Sequence, residues 1–229
     1  MTIKRGFLNV AMGLALAEGA TTSWAAEGGT SGFYFGVSGG QSKADVSQDE
    51  LDAFVLDLFN SVGFDVVSAT SDLEEKDTSF SLSGGYRFSE FLAVEAGYVD
   101  FGAAEYRASG TLDAGVPGVP LLPGSYSADI EAKGFTAAAL GALPLNEMFD
   151  LHARLGVLFA DTEISQRATI DTDSVSDSFS ANSRDFFYGI GVGLNLGERW
   201  NVSLDWQQLK DVGDEDETGE GDLDRISLG

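Results

Sequence analysis

The chain has 229 residues, 37 of them acidic against 13 basic, for a formal net charge of −24. That balance excludes nucleic acid as a partner, since its phosphates demand lysine and arginine, and the absence of cysteine excludes disulfides and thiolate metal centres. No apolar run reaches the roughly 18 residues that cross a bilayer as a helix, a test that strands escape because only alternate residues need be apolar.

The first segment places Lys4 and Arg5 ahead of an apolar stretch at 7–17 and closes on Ser23, Trp24 and Ala25, small residues lying where a signal peptidase reads. It reads as a secretory signal peptide over residues 1–25, cut after Ala25 or Ala26 and absent from the fold, with Asn9 and Glu18 as atypical members. A buried N-terminal helix is the competing reading. Removing the leader leaves 11 basic and 36 acidic residues, unevenly spread: 45–77 hold ten acids and 210–225 hold eight.

Past the leader the sequence falls into alternating segments, and a period of two marks strands with unlike faces. In "GFYFGVSGGQSKA" (32–44) Phe33, Phe35 and Val37 oppose Tyr34, Gly36 and Ser38. The stretch 78–102, "TSFSLSGGYRFSEFLAVEAGYVDFG", is two strands joined at Ser89 and Glu90. Before the turn Phe80, Leu82, Tyr86 and Phe88 oppose Ser79, Ser81, Ser83, Gly85 and Arg87; after it Leu92, Val94, Ala96 and Tyr98 oppose Ala93, Glu95, Gly97 and Val99. Residues 131–143, "EAKGFTAAALGAL", are strand-like, with faces left ambiguous by small side chains. In "FDLHARLGVLFAD" Phe149, Leu151, Ala153, Leu155, Val157 and Phe159 oppose Asp150, His152, Arg154, Gly156, Leu158 and Ala160. Tyr188, Ile190, Val192, Leu194 and Leu196 then oppose Phe187, Gly189, Gly191, Gly193 and Asn195, and Trp200, Val202, Leu204 and Trp206 oppose Asn201, Ser203, Asp205 and Gln207. With Ile226 and Leu228, "DRISLG" begins an eighth alternation.

Short turns at Ser89 and Glu90, around 144–147 and at 197–199 alternate with long connections at 45–77, 103–128, 161–183 and 210–222, which predicts antiparallel strands with both chain ends on the short-turn side. A soluble lipocalin-type barrel would carry long polar residues on its water face. Here the less apolar face is Gly, Ser, Ala and Asn with isolated charges, which suits the narrow interior of a small membrane barrel. The expectation is an all-β, eight-stranded antiparallel transmembrane β-barrel over residues 26–229, with Phe80, Leu82, Tyr86, Phe88, Leu155, Val157, Ile190, Val192 and Leu204 facing lipid. Tyr98, Phe149, Tyr188, Trp200 and Trp206 are the expected aromatic girdle.

The segments "GFYFGVSGGQSKAD", "GGYRFSEFLAVEAGYVDFG", "LHARLGVLFADTE" and "LDWQQL" resemble the OmpA-like outer membrane β-barrel family, over essentially the whole mature chain. The resemblance implies a Gram-negative outer-membrane location, inward acids at Glu95 and Asp205 and an inward base at Arg154. Two departures stand out. Members with a periplasmic peptidoglycan-binding domain carry it after the barrel, and none follows here. Barrels of the family end their last strand on an aromatic residue that the barrel assembly machinery reads, whereas this sequence ends on Ser227, Leu228 and Gly229, so its last strand is expected to be incomplete.

On the inward face the charged residues are Glu95, Arg154, Asp205, Arg87, His152 and Asp150, which must be paired or hydrated. They form either a polar plug or a salt-bridge gate for small ions. His152, the only histidine, lacks a recognisable catalytic signature beside it and reads as polar packing. In the first long connection Ser47 and Glu50 have the form of a capping box, and Leu51, Phe54, Val55, Leu58, Phe59 and Val62 follow at helical spacing. That helix is either a lid on the barrel rim or a docking surface. The clusters 171–177 and 211–224 do not fit the twelve-residue calcium loop and read as solvated acids; loose divalent bridging to lipopolysaccharide stays open. Neither cofactor nor resident metal is expected. The leading functional reading is a structural, non-enzymatic barrel presenting acidic loops, with outer-membrane lipids, lipopolysaccharide, host and phage surfaces as partners. A narrow gated ion pore is the alternative.

Overall fold

The computed structural model describes residues 24–25, 31–197, 199–214 and 219–229. In chain order it consists of β1 (Trp24–Ala25), β2 (Gly32–Ala44), α1 (Gln48–Ser61), β3 (Asp65–Glu74), β4 (Lys76–Ser89), β5 (Leu92–Asp113), β6 (Leu122–Pro144), β7 (Phe149–Ile170), β8 (Asp173–Leu196), β9 (Trp200–Asp214) and β10 (Gly219–Leu228). Strands β2 and β4 to β10 close into an eight-membered antiparallel ring, with β10 returning to β2. Closure pairs the backbone donors and acceptors of neighbouring strands across the ring, the condition for a sheet to lie in hydrocarbon.

The period of two carries through to burial. On β7 the outward residues Leu151, Leu155 and Phe159 are exposed while the inward Leu158, Ala160 and Thr162 are buried. The ambiguous 131–143 stretch resolves with Ala132, Gly134, Thr136, Ala138 and Leu140 inward and Phe135 outward. The outer face is an apolar band of limited height. On its loop side it ends at Phe80, Tyr98, Phe135, Phe159 and Trp206, beyond which the outward residues turn to Thr78, Asp100, Lys133, Asp161 and Gln208.

β10 pairs with β2 from Leu223–Ala44 to Leu228–Gly39, and Trp24 and Ala25 of β1 pair with Phe35 and Tyr34 further along the same strand. The rest of the expected leader, residues 1–23, lies outside the described residues.

The connections expected as long loops are largely strand. β5 runs on to Asp113 and β6 starts at Leu122, while β7 and β8 stay paired up to Ile170–Asp173, with Asp171 at φ 53° in the tip. β3 takes up 65–74 of the first connection by pairing with β5, and β9 and β10 reach Asp214 and Gly219. The alternation persists there, but its outward half turns polar: Arg107 and Ser109 are exposed while Tyr106 and Leu112 are buried. A bulge between the Asp100–Lys133 and Ala103–Glu131 pairs also shifts the phase, so inward residues are odd-numbered up to Phe101 and even-numbered from Ala104. Gly102 sits in that bulge at φ +75°, where a side chain is strained.

Helix α1 lies beyond the apolar band and packs Val55 and Phe59 against Tyr106, Leu112, Tyr126 and Ala128, with Leu51 and Leu58 partly buried beside them. Two expectations need correction. Ser47 is the N-cap residue but makes no side-chain capping bond. Phe54 and Val62 do not join the buried face: they are 44% and 58% exposed, and the Phe54 ring only edges Tyr126 at 6.2 Å. A helix burying one narrow stripe against a curved sheet leaves the flanks of its apolar face in solvent.

The helix is tied down by Tyr106, whose hydroxyl donates to Asp52 Oδ1 at 2.5 Å. Tyr106→Phe is expected to loosen α1 by about 1.5–3 kcal/mol, the range for a bond to a charged acceptor, seen as faster amide exchange in α1 with the ring strands unchanged. Burial first, and then the Asp52 hydrogen bond, raise the Tyr106 pKa above its ordinary value. The folded state therefore holds this proton more tightly than the unfolded one. Docking of α1 should be insensitive to this group through neutral pH and weaken as pH climbs past about 10.

Candidate functional site in the barrel lumen

The turn-side half of the lumen collects the inward charges into one chain of contacts. Arg154 on β7 donates through Nε to Glu95 Oε2 on β5 at 2.7 Å, and its Nη1 lies 3.5 Å from Asp205 Oδ1 on β9. His152 lies between two carboxylates, Nε2 2.7 Å from Asp205 Oδ1 and Nδ1 3.2 Å from Asp150 Oδ1. An imidazole can donate to both only as imidazolium. The remaining carboxylate oxygens are also served: Tyr34 OH donates to Glu95 at 3.0 Å, Ser203 Oγ to Asp205 at 2.6 Å, and Asn195 and Asn201 to Asp150 at 3.1 and 3.3 Å. Asp205 is buried, and at that depth a carboxylate persists only with such partners.

The strands position this chain by leaving space for it. A Cβ at Gly191 would collide with His152 Nε2 and with Asp205 Oδ1, and one at Gly85 would strike the Tyr34 ring. Glycine on β8 thus lets side chains from β7 and β9 meet across it.

Five of the six expected charges are joined in this way; Arg87 is not. It stands exposed on the turn-side rim with its guanidinium 5.9 Å from the Tyr34 ring centroid, and no hydrogen bond or ion pair joins it to the other five among the described residues. Sequence reasoning missed Tyr34 and Arg225 as site residues. Both were legible by parity, Tyr34 lying between Phe33 and Phe35 and Arg225 just before the outward Ile226.

The expected lipid-facing residues lie on the outer face, Leu155 at 65% and Ile190 at 61% exposure being the most open. Tyr98, Tyr188 and Trp206 stand towards the loop side of the band, where Tyr98 meets Phe135 at 5.5 Å and Tyr188 meets Trp206 at 5.9 Å. Phe149 and Trp200 begin their strands at the turn side.

The polar chain lines a cavity of about 560 Å³. Above it the lumen is apolar, contrary to the small polar interior expected: Val99, Phe101, Leu158, Phe187, Leu209 and Leu223 form one buried cluster, with Leu158 at 0% and Leu209 at 1% exposure. A smaller cavity of about 260 Å³ lies on the loop side of this layer, lined by Asp45, Glu50, Asp77 and Asp222. No group of three or more His, Cys, Asp or Glu is placed to hold a metal ion among the described residues.

A closed eight-stranded antiparallel ring, apolar outside and bridged by ion pairs within, is a transmembrane β-barrel, with short periplasmic turns and long extracellular connections. Residues 29–229 match the OmpA-like transmembrane domain, and the chain belongs to that family of outer-membrane proteins. Among solved structures it is similar to Ail, the attachment invasion locus protein of Yersinia pestis, at 14% identity over 92% of this chain and 97% of that one, with a TM-score of 0.39. A second structure of Ail, in complex with the heparin analogue sucrose octasulfate, gives 13% identity at the same coverage and a TM-score of 0.36. No curated protein matches the sequence.

Proposed function

We propose that the chain is a structural, non-enzymatic barrel of the Gram-negative outer membrane that holds acidic hairpins at the cell surface, with its lumen closed. The apolar layer of Leu158, Phe187, Leu209, Val99 and Phe101 carries this reading. An apolar layer across a narrow lumen is a barrier to ions, which would have to shed water to pass it. The non-enzymatic reading is supported by His152, whose two ring nitrogens both face carboxylates, leaving neither to activate a hydroxyl.

The outward apolar band, including Phe80, Leu82, Tyr86, Phe88, Val157, Val192 and Leu204, meets outer-membrane lipid in this account, with the Tyr and Trp residues at its edges. Lipopolysaccharide is the partner expected at its loop-side border. There Lys133 follows the band, Arg184 covers the Phe159 ring at 5.8 Å, and Lys43 and Lys210 are held by Glu75 and Asp222. Asp161 stands opposite Lys133, and further out Glu163 and Arg107 are exposed on the paired hairpins, the surface open to host or phage contacts. Protease added to intact cells should cut at the 114–121 tip and leave the ring strands whole; cleavage only after the outer membrane is broken would put the hairpins on the wrong side.

Export by the leader belongs to the same reading, as does folding by the barrel assembly machinery. Sequencing the N-terminus of protein from outer membranes should find it at Ala26 or Glu27. A chain beginning at Met1 would refute processing.

The gated pore remains a second reading because a cavity with a salt-bridge network lies beneath the apolar layer. If it is right, ion currents through the barrel change in Glu95→Gln.

A further inference from the structure

We propose that the inner end of the lumen cavity binds a small inorganic anion, of the size of chloride, between Arg225 and the serine hydroxyls around it. Arg225 projects inward from β10 and is 2% exposed. Its Nε donates to Ser79 Oγ at 3.0 Å, and its Nη2 donates to Ser38 Oγ at 2.8 Å and Ser81 Oγ at 3.3 Å. All three partners are neutral. No carboxylate bonds this guanidinium among the described residues. Of the carboxylates on the cavity wall Glu90 is exposed at the turn, and the other three are engaged elsewhere: Glu95 with Arg154 and Tyr34, Asp205 with His152 and Ser203, Asp150 with His152 and two asparagines.

A guanidinium cannot lose its charge to escape burial, so the charge demands a counterion or deep hydration. The surrounding groups have the polarity of an anion site. A hydroxyl that accepts from a guanidinium points its own proton away from it. Ser38 and Ser81, 2.7 Å apart, share one such proton between them, which leaves the other free to donate. Arg225, Ser38, Ser81, Ser83 and Ser227 all line the 560 Å³ cavity, which has room for an anion with part of its water shell. The Asp150–His152–Asp205–Arg154–Glu95 chain lines the same cavity towards the turn side, and its carboxylates disfavour a large polyanion. This site is separate from the network already described and would stand even if the lumen proved to conduct.

The test is made on the folded barrel in detergent. Crystals grown with bromide should show an anomalous peak within hydrogen-bonding distance of the Arg225 guanidinium. Thermal unfolding at fixed ionic strength should show saturable stabilisation by chloride over gluconate. In Arg225→Gln the peak and the anion-specific stabilisation should vanish while the heat-modifiable gel shift still reports a folded barrel. If that variant does not fold, the Ser38→Ala, Ser81→Ala pair keeps the guanidinium and should bind chloride about tenfold more weakly, the loss expected for the one hydroxyl proton left free to donate to a charged acceptor. No bromide peak, a peak without saturable stabilisation, equal stabilisation in Arg225→Gln, or unchanged chloride affinity in the serine pair would each overturn the site in favour of water alone.

Discussion

Arg154→Ala will destabilise the folded barrel by about 3–5 kcal/mol, the range for removing one partner of a buried ion pair, read as a lower midpoint in urea unfolding from detergent micelles. The loss comes from what remains. Glu95 would keep only the Tyr34 hydroxyl, and Asp205 would keep His152 and Ser203. Adding Glu95→Gln to Arg154→Ala should recover part of the loss, because a neutral amide costs less to bury than an unpaired carboxylate. Equal stability of the single and double variants would mean that water, not Arg154, neutralises Glu95.

Phe187→Ala is expected to cost a comparable amount, about 3–5 kcal/mol, the range for truncating a buried phenyl ring. Its ring fills the lumen opposite Gly156, where a Cβ would run into it, and it belongs to the same cluster as Leu158 and Leu209. The functional consequence is larger than the energetic one. In the double variant Leu158→Ser, Phe187→Ser the layer becomes small and polar enough to admit water, and a lumen that was silent should pass ions.

The ring was legible because strand periodicity is local: each face from 78 to 99 and from 149 to 160 can be assigned without knowing the neighbouring strand. The network was legible only as a set of inward residues. Apart from His152 and Asp150, two residues apart on β7, its ion pairs run from β7 to β5 over β6 and from β9 to β7 over β8, and no spacing along one strand encodes those. Tyr34 has the parity of the inward face, but an aromatic between Phe33 and Phe35 shows no polar role in the sequence until its hydroxyl finds Glu95. The hairpins read as loops in the sequence because two signals fail together: the outward face turns polar at Asp161 and Arg107, and the bulge at Gly102 reverses the phase within one strand. The apolar layer is hidden for a related reason, since Leu158 and Phe187 sit singly on faces otherwise made of Gly, Ala, Asn and charge.

Single-channel recording in a planar bilayer tests the closed lumen most directly. Wild-type barrel shown to be inserted should give no discrete openings, and Leu158→Ser, Phe187→Ser should give them under the same conditions. Openings in the wild type that shift in Glu95→Gln or Arg154→Ala would contradict the closed barrel and make those residues the gate of a pore.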